Sequence, residues 1–161
     1  MRPRTLDDLM TSSNTTRTIS DVMADPSASD AFLGDAEAVL ATRVASSRGL
    51  TGVAVRTGFA TFQRVKPRVV RAALQRLAPH FGPVLDRHWA AATTSGDVRA
   101  SFSANAETIA RDLLCVTDGL AKRADNAVLS SIYTSLRGRA QDEVAAAMPD
   151  VSGLLRRHLL W

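Results

Sequence analysis

Apolar residues recur along this chain at three- and four-residue spacing, and no segment alternates residue by residue, so the pattern predicts helices and no half-buried strand. Phe32, Ala36, Val39, Leu40 and Val44 fall on one helical face, with Ser29 or Asp30 as the N-cap and an end before Gly49. Upstream, Ile19 to Met23 makes one or two turns that Asp25-Pro26 stops, because a residue before proline is biased away from the helical region. The stretch from Gly49 to Trp89 organises the rest. Thr51 caps a helix whose apolar face is Val55, Phe59 and Phe62, with Ala54, Gly58 and Thr61 as a stripe of small residues beside it. A glycine inside a helix costs about 1 kcal/mol relative to alanine, so Gly58 predicts another backbone close by. Pro67 suits the first turn of the next helix, with Val69, Val70, Ala73, Leu74 and Leu77 inward and Arg68, Arg71 and Arg76 outward. Pro79 is expected to open a further helix that ends at Trp89.

Thr93-Thr94-Ser95-Gly96-Asp97 reads as the one internal linker. The longest helix is expected after it, with Phe102, Ala106, Ile109, Leu113, Val116 and Leu120 on one face. Asn126 caps a helix carrying Val128, Leu129, Ile132, Tyr133 and Leu136, Gly138 breaks the chain, and a helix through Val144 leads to Pro149, which opens the last one. Residues 1–17 have no apolar periodicity and are expected to form a disordered tail. The fold class is therefore all-α: one helical bundle over residues 18–161, of about six to eight helices. Its expected core contains Phe32, Phe59, Phe62, Leu74, Leu85, Ile109, Leu113 and Ile132.

Laid on itself with a shift of 70 and no gap, the chain matches Phe32 with Phe102, Ala36-Glu37 with Ala106-Glu107, and Gly49-Leu50 with Gly119-Leu120. Pro79, Leu85 and Arg87-His88 likewise meet Pro149, Leu155 and Arg157-His158. Two pseudo-symmetric half-units, 31–89 and 101–159, would account for this; chance matching between alanine- and arginine-rich helices would also.

Composition alters this picture little, but charge distribution adds to it. At 161 residues the chain is long enough for one core without a metal or disulfide staple, and its one cysteine, Cys115, reads as a small core residue. A charged N-terminus without an apolar signal region, and the absence of any apolar run near 20 residues, point to a cytoplasmic protein. Net charge is +4 and the pI near 10.2. From Ala38 to Leu85 there is no acidic residue, whereas Asp21, Asp25, Asp30, Asp35 and Glu37 crowd the segment before it. Arg64, Lys66, Arg68, Arg71 and Arg76 form the candidate anion-binding set. Either the acidic segment folds over them, or they stay open to nucleic acid or an anionic membrane surface.

Candidate chemistry is sparse. There is no phosphate-binding glycine loop, nucleophile elbow or Cys-x-x-Cys, so no catalytic residue and no cofactor is assigned and enzyme activity is disfavoured. Glu37, His88, Glu107 and His158 could meet across a pseudo-twofold axis as a Glu2His2 metal set, but both glutamates fall at the edge of their apolar faces, so no metal site is assigned. His80 and Asp86 form no dyad by spacing. Asp118, near the apolar side of its helix, needs a cationic partner, for which Arg43 is the candidate.

Ile19-Ser-Asp-Val-Met-Ala-Asp25-Pro26, Ser47-Arg48-Gly49-Leu50-Thr51-Gly52, Val65-Lys66-Pro67, Leu77-Ala-Pro79-His-Phe81 and Val116-Thr117-Asp118 together resemble a group of short helical proteins from actinobacteria, a domain of unknown function. The resemblance covers about residues 19 to 159 and implies an all-α cytoplasmic protein; it carries no activity, cofactor or catalytic residue with it. Three functional readings follow from the residues. The first is a helical interaction protein that associates with itself or another protein through the Ala54, Gly58 and Thr61 stripe. The second is a carrier for an apolar ligand in the gap between the half-units, and the third is an anion or nucleic-acid binder.

Overall fold

Thr18 opens the first helix with a capping box: its hydroxyl accepts from the Asp21 N–H while its own N–H donates to the Asp21 carboxylate at 2.8 Å. Helix α1 (Ile19–Ala24) follows, and Asp25, extended ahead of a proline, ends it. The same residue begins the next helix. Its carboxylate accepts from the N–H groups of Ser27 and Ala28 at 2.9 and 3.3 Å, and Pro26 takes the first helical position, where an N–H is not needed. Helix α2 (Pro26–Ser46) thus starts a turn earlier than the Ser29 or Asp30 cap predicts. The computed structural model describes residues 16–46, 68–123, 125 and 127–160, with single helical positions at Val53, Arg56, Thr57, Ala60 and Arg64, and without the side chains of Val128, Leu129 and Ile132.

Helix α3 (Val69–Ser95) runs 27 residues and passes through both Pro79 and Pro83, so Pro79 does not open a helix. Each proline removes one ladder bond, yet Ala78, Gly82, Leu85 and Trp89 are all buried, and packing on that face holds the helix through the defect. The predicted linker is its last turn. The hydroxyls of Thr93 and Thr94 donate to the Ala90 carbonyl and that of Ser95 to the Ala92 carbonyl, so these residues support helix rather than loop. Gly96 ends it at φ 88°, the left-handed conformation that favours glycine.

Asp97 then caps α4 (Val98–Ala104) by accepting from the Ala100 N–H at 2.9 Å. Asn105 separates α4 from α5 (Ala106–Lys122), its side chain donating back to the Ser101 carbonyl; the helix expected to be longest is two. The longest is α6 (Ala127–Leu159), 33 residues that continue through Gly138 and Pro149, both of which were expected to interrupt it. Pro79 and Pro149 therefore both lie inside long helices and not at equivalent helix starts, Pro79 in the first half of α3 and Pro149 in the last third of α6. No strand occurs among the described residues.

The core joins Ile19 and Val22 of α1, Phe32 and Leu33 of α2, Leu85 and Trp89 of α3, Phe102 of α4, Ile109 and Leu113 of α5, and Met148, Leu154, Leu155 and Leu159 of α6. Of the predicted core, Phe32, Leu85, Ile109 and Leu113 are inside and Leu74 packs at its edge. Phe59, Phe62 and the Ile132 side chain lie outside the described residues. Cys115 is exposed, because Leu113 and Leu114 take the buried face of α5 and turn it outward. Rings of Trp89 and Phe102 meet edge to face at 6.5 Å, and Phe32 meets His158 in the same way at 5.4 Å.

Candidate functional site

Helices α2 and α6 run antiparallel, as two contacts fix. Asp35 of α2 meets Arg157 and His158 at 2.7 and 2.9 Å, while two turns further on Arg43 meets Asp150 at 3.8 Å. Between these helices and α3 lies a cavity of about 860 Å³, within the usual range for small-molecule sites. Val39, Leu40 and Val44 of α2 line it, with Leu77 and Phe81 of α3 and Val144 of α6. The predicted apolar face of α2 is thus real in composition but only partly used by the core: Phe32 is buried, whereas Val39, Leu40 and Val44 are half-buried and face the cavity. Among the described residues, Arg43, Arg139, Asp142 and Glu143 are the charged ones of its wall.

Two side-chain clusters brace the bundle outside the cavity. Arg87 and His88, about two turns before the end of α3, both reach the Asp112 carboxylate of α5, at 2.7 and 2.8 Å. Arg157 and His158 at the end of α6 make the same arrangement on Asp35. Asp112 is held below the usual carboxylate range by His88 and then Arg87, and Asp35 by Arg157 and then His158.

A third cluster closes the α5–α6 hairpin. Arg137 donates twice to Asp118, at 2.8 and 3.1 Å, and the Tyr133 hydroxyl donates to the same carboxylate. Asp118 is consequently lowered, by Arg137 first, and Tyr133 is pushed up to about 12 by burial and then by Asp118. These groups border a smaller polar hollow of about 440 Å³, together with Lys122, Ser130 and Thr134. The ion pair expected for Asp118 is present with a different partner. Arg43 belongs to another pair of helices, and a residue one turn along the hairpin partner reaches Asp118 instead.

The model of a family of unknown function (DUF6918) matches residues 19–159. The chain belongs to this family. No curated protein and no solved structure matches it.

In this DUF6918 member the predicted anion-binding residues do not act as one set. Arg71 is engaged by Glu37 at 2.9 Å and by both the carboxylate and the carbonyl of Asp30, so the acidic segment does cover this one arginine. Contact with Glu37 first, and then with Asp30, holds its charge more firmly. Arg64, Arg68 and Arg76 are exposed, and Lys66 lies outside the described residues. Ala54, Gly58 and Thr61 also lie outside them. Glu37, His88, Glu107 and His158 do not converge: Glu37 is on Arg71, the two histidines are on different aspartates, and Glu107 is exposed. Among the described residues no group of three potential ligands could hold a metal ion. No described helix is long and apolar enough to cross a membrane. His80 is exposed, and Asp86, raised by burial, accepts from the Ile19 N–H at 2.8 Å; this anchor of α1 has no sequence signal beyond an acid after a proline-rich turn.

Proposed function

We propose that this protein binds an apolar small molecule in the cavity between α2, α3 and α6. The single observation that carries the reading is the cavity itself, about 860 Å³ lined by Val39, Leu40, Val44, Leu77, Phe81 and Val144, with charge confined to four of the described lining residues. A bundle of this size ordinarily fills such space with side chains, because voids larger than a water molecule are few. Leaving this much apolar surface unfilled is destabilising unless a guest covers it. The walls come from both segments 31–89 and 101–159, so the cavity lies where the two halves of the sequence meet.

The reading assigns binding and not catalysis. The titratable clusters, Asp35 with His158, Asp112 with His88 and Asp118 with Tyr133, are each satisfied by their own partners. None of these histidines or that tyrosine lines the cavity. Among the described residues of its wall none supplies a nucleophile beside a base.

The test is titration of delipidated protein with a fluorescent apolar probe, alongside Ala147→Trp, which places an indole in the cavity wall. Saturable one-to-one binding that weakens at least tenfold in the variant is the expected result, with unchanged helicity by circular dichroism. Probe binding that the variant leaves unchanged, or none in the wild type, sinks the reading. An exchange of monomer for dimer without probe binding would favour association through the exposed Leu136 and Leu160 instead.

A further inference from the structure

The polar hollow of the α5–α6 hairpin shares no described lining residue with the apolar cavity, so the two can be occupied independently. Its walls follow from the hairpin. Asp118 meets Tyr133 and Arg137 across two antiparallel helices, so Lys122, one turn further along α5, comes level with Ser130, back along α6. Ser130, Tyr133, Thr134 and Arg137 recur at spacings of three and four and form one face of α6. The space of about 440 Å³ between these walls is within the usual range for a small molecule.

Donors and acceptors in the hollow fix the sign of a guest. The Asp118 carboxylate accepts from Arg137 through both Nε and Nη2, and Tyr133 donates its only proton there. The carboxylate and the phenol are thus engaged with each other and with Arg137. The donors beside them are less used. With Nε and Nη2 on Asp118, the Nη1 side of the guanidinium is turned away from that carboxylate. Lys122 is exposed and makes no hydrogen bond or ion pair among the described residues, although its charge is near enough to help lower Asp118. The Ser130 carbonyl takes the Thr134 hydroxyl, while the hydroxyl of Ser130 has no bond among the described residues. One carboxylate against one guanidinium and one ammonium leaves the described wall with an excess of positive charge, and the exposed Asp125 of the turn is not part of it. Two bonds from Asp118 also fix the plane of the guanidinium before any ligand arrives, which lowers the ordering cost of binding.

We propose that this hollow binds a phosphate monoester, its phosphate held between the Arg137 guanidinium, the Lys122 ammonium and the Ser130 hydroxyl. A tetrahedral oxyanion presents oxygens in several directions and meets donors on both helices at once, whereas a planar carboxylate offers two oxygens along one edge. The organic part of the ester has room beside Gly138, where a Cβ would meet nothing within 4 Å.

The test uses the chain's one tyrosine as reporter, because Tyr133 lines the hollow and its labelled ring carbons give a single set of NMR signals. Glycerol phosphate is titrated into the full chain at constant ionic strength. The Tyr133 signals should move and saturate, with affinity weakened roughly tenfold in Lys122→Ala through loss of a charge-assisted hydrogen bond. Lys122 is exposed, so this variant leaves the packing of the bundle intact. Acetate at the same ionic strength should bind more weakly than the ester. Phosphatidylcholine vesicles with and without phosphatidic acid separate two sources of the same group. Sedimentation that requires phosphatidic acid and Lys122, beside weak binding of glycerol phosphate, sustains the assignment and places the phosphate on a lipid headgroup. A shift that Lys122→Ala leaves unchanged, or acetate binding as tightly as the ester, overturns it. So does the absence of both a saturable shift and Lys122-dependent sedimentation. The apolar-ligand reading stands apart from every one of these outcomes, since Lys122 does not line that cavity.

Discussion

Asp35, Asp112 and Asp118 are all held below the ordinary carboxylate range, by Arg157, His88 and Arg137 respectively as the leading causes. A carboxyl whose folded pKa lies below its unfolded one contributes stability that is complete above the unfolded value and is lost as pH falls through the folded value. Asp86 works in the opposite sense, since burial raises it and acid relieves it. With Asp21, lowered by its Thr18 partner, four depressed carboxyls against one raised predict a net loss of stability as pH drops below about 4. Urea unfolding across pH 6 to 2 should show it, with a shallower loss in Asp118→Asn; a flat profile contradicts the assignment. Tyr133 gives the alkaline counterpart. Its raised pKa means stability present below about 10, the ordinary tyrosine value, and lost as pH rises through about 12. It is the chain's one tyrosine, so phenolate absorbance reads it directly: a midpoint near 12 in the wild type, lower in Asp118→Asn. A wild-type midpoint near 10 would mean the hydroxyl is not on Asp118.

Single side chains also show which kinds of inference a sequence supports. Leu113 was legible as core because its periodicity with Ile109 is local to one helix, and both are buried. Leu113→Ala should cost about 2 to 5 kcal/mol in denaturant unfolding, and a cost below about 0.5 kcal/mol would contradict its place. Arg43 was misassigned because an ion pair between helices depends on their register, and that register follows from α2 lying antiparallel to α6. Cys115 was misplaced because an apolar run along α5 contains both its buried and its exposed faces.

At the scale of elements, local chemistry was legible and its overrides were not. The stop at Asp25-Pro26 follows from backbone sterics alone, and the structure shows it. Pro79, Pro149 and Gly138 carry equally strong local signals, yet α3 and α6 continue through them: burial of Ala78 and Gly82 around Pro79 and of Met148 and Ser152 around Pro149 holds the helix there, whereas Gly138, with exposed Leu136 and Arg139 beside it, costs its helix only about 1 kcal/mol relative to alanine. Thr93 to Ser95 misled for the opposite reason: their hydroxyls return to the helix's own carbonyls. The α1–α3 contact depends on Gly82, whose missing Cβ would stand 3.5 Å from the Ile19 side chain. That is ordinary contact, so Gly82→Ala should be neutral or stabilise by up to about 1 kcal/mol through helix propensity. Gly82→Leu should instead displace Ile19 and destabilise by about 1 to 3 kcal/mol. Thermal unfolding of the pair checks this, and equal effects would mean that α1 does not rest on that notch.

For the whole molecule, the bundle and part of its described core, Phe32, Leu85, Ile109 and Leu113, follow from helical periodicity, whereas the Met148, Leu154, Leu155 and Leu159 side of the core and the cavity do not. Val39, Leu40 and Val44 are spaced like core residues, and only the relative placement of α2, α3 and α6 decides that they face a space instead of a neighbour. Arg87-His88 and Arg157-His158 each clamp an aspartate from the other half of the chain, but these aspartates, Asp112 and Asp35, are not matched by the shift of 70. These clamps tie together the same segments that wall the cavity, which is the arrangement expected if its shape matters to the protein. Native mass spectrometry of the protein purified gently from its own host tests the central claim most directly. The account predicts the 17.2 kDa chain carrying a small adduct of a few hundred daltons that organic extraction removes and that Ala147→Trp does not retain. A bare chain, or a bare dimer, from the same preparation would contradict it.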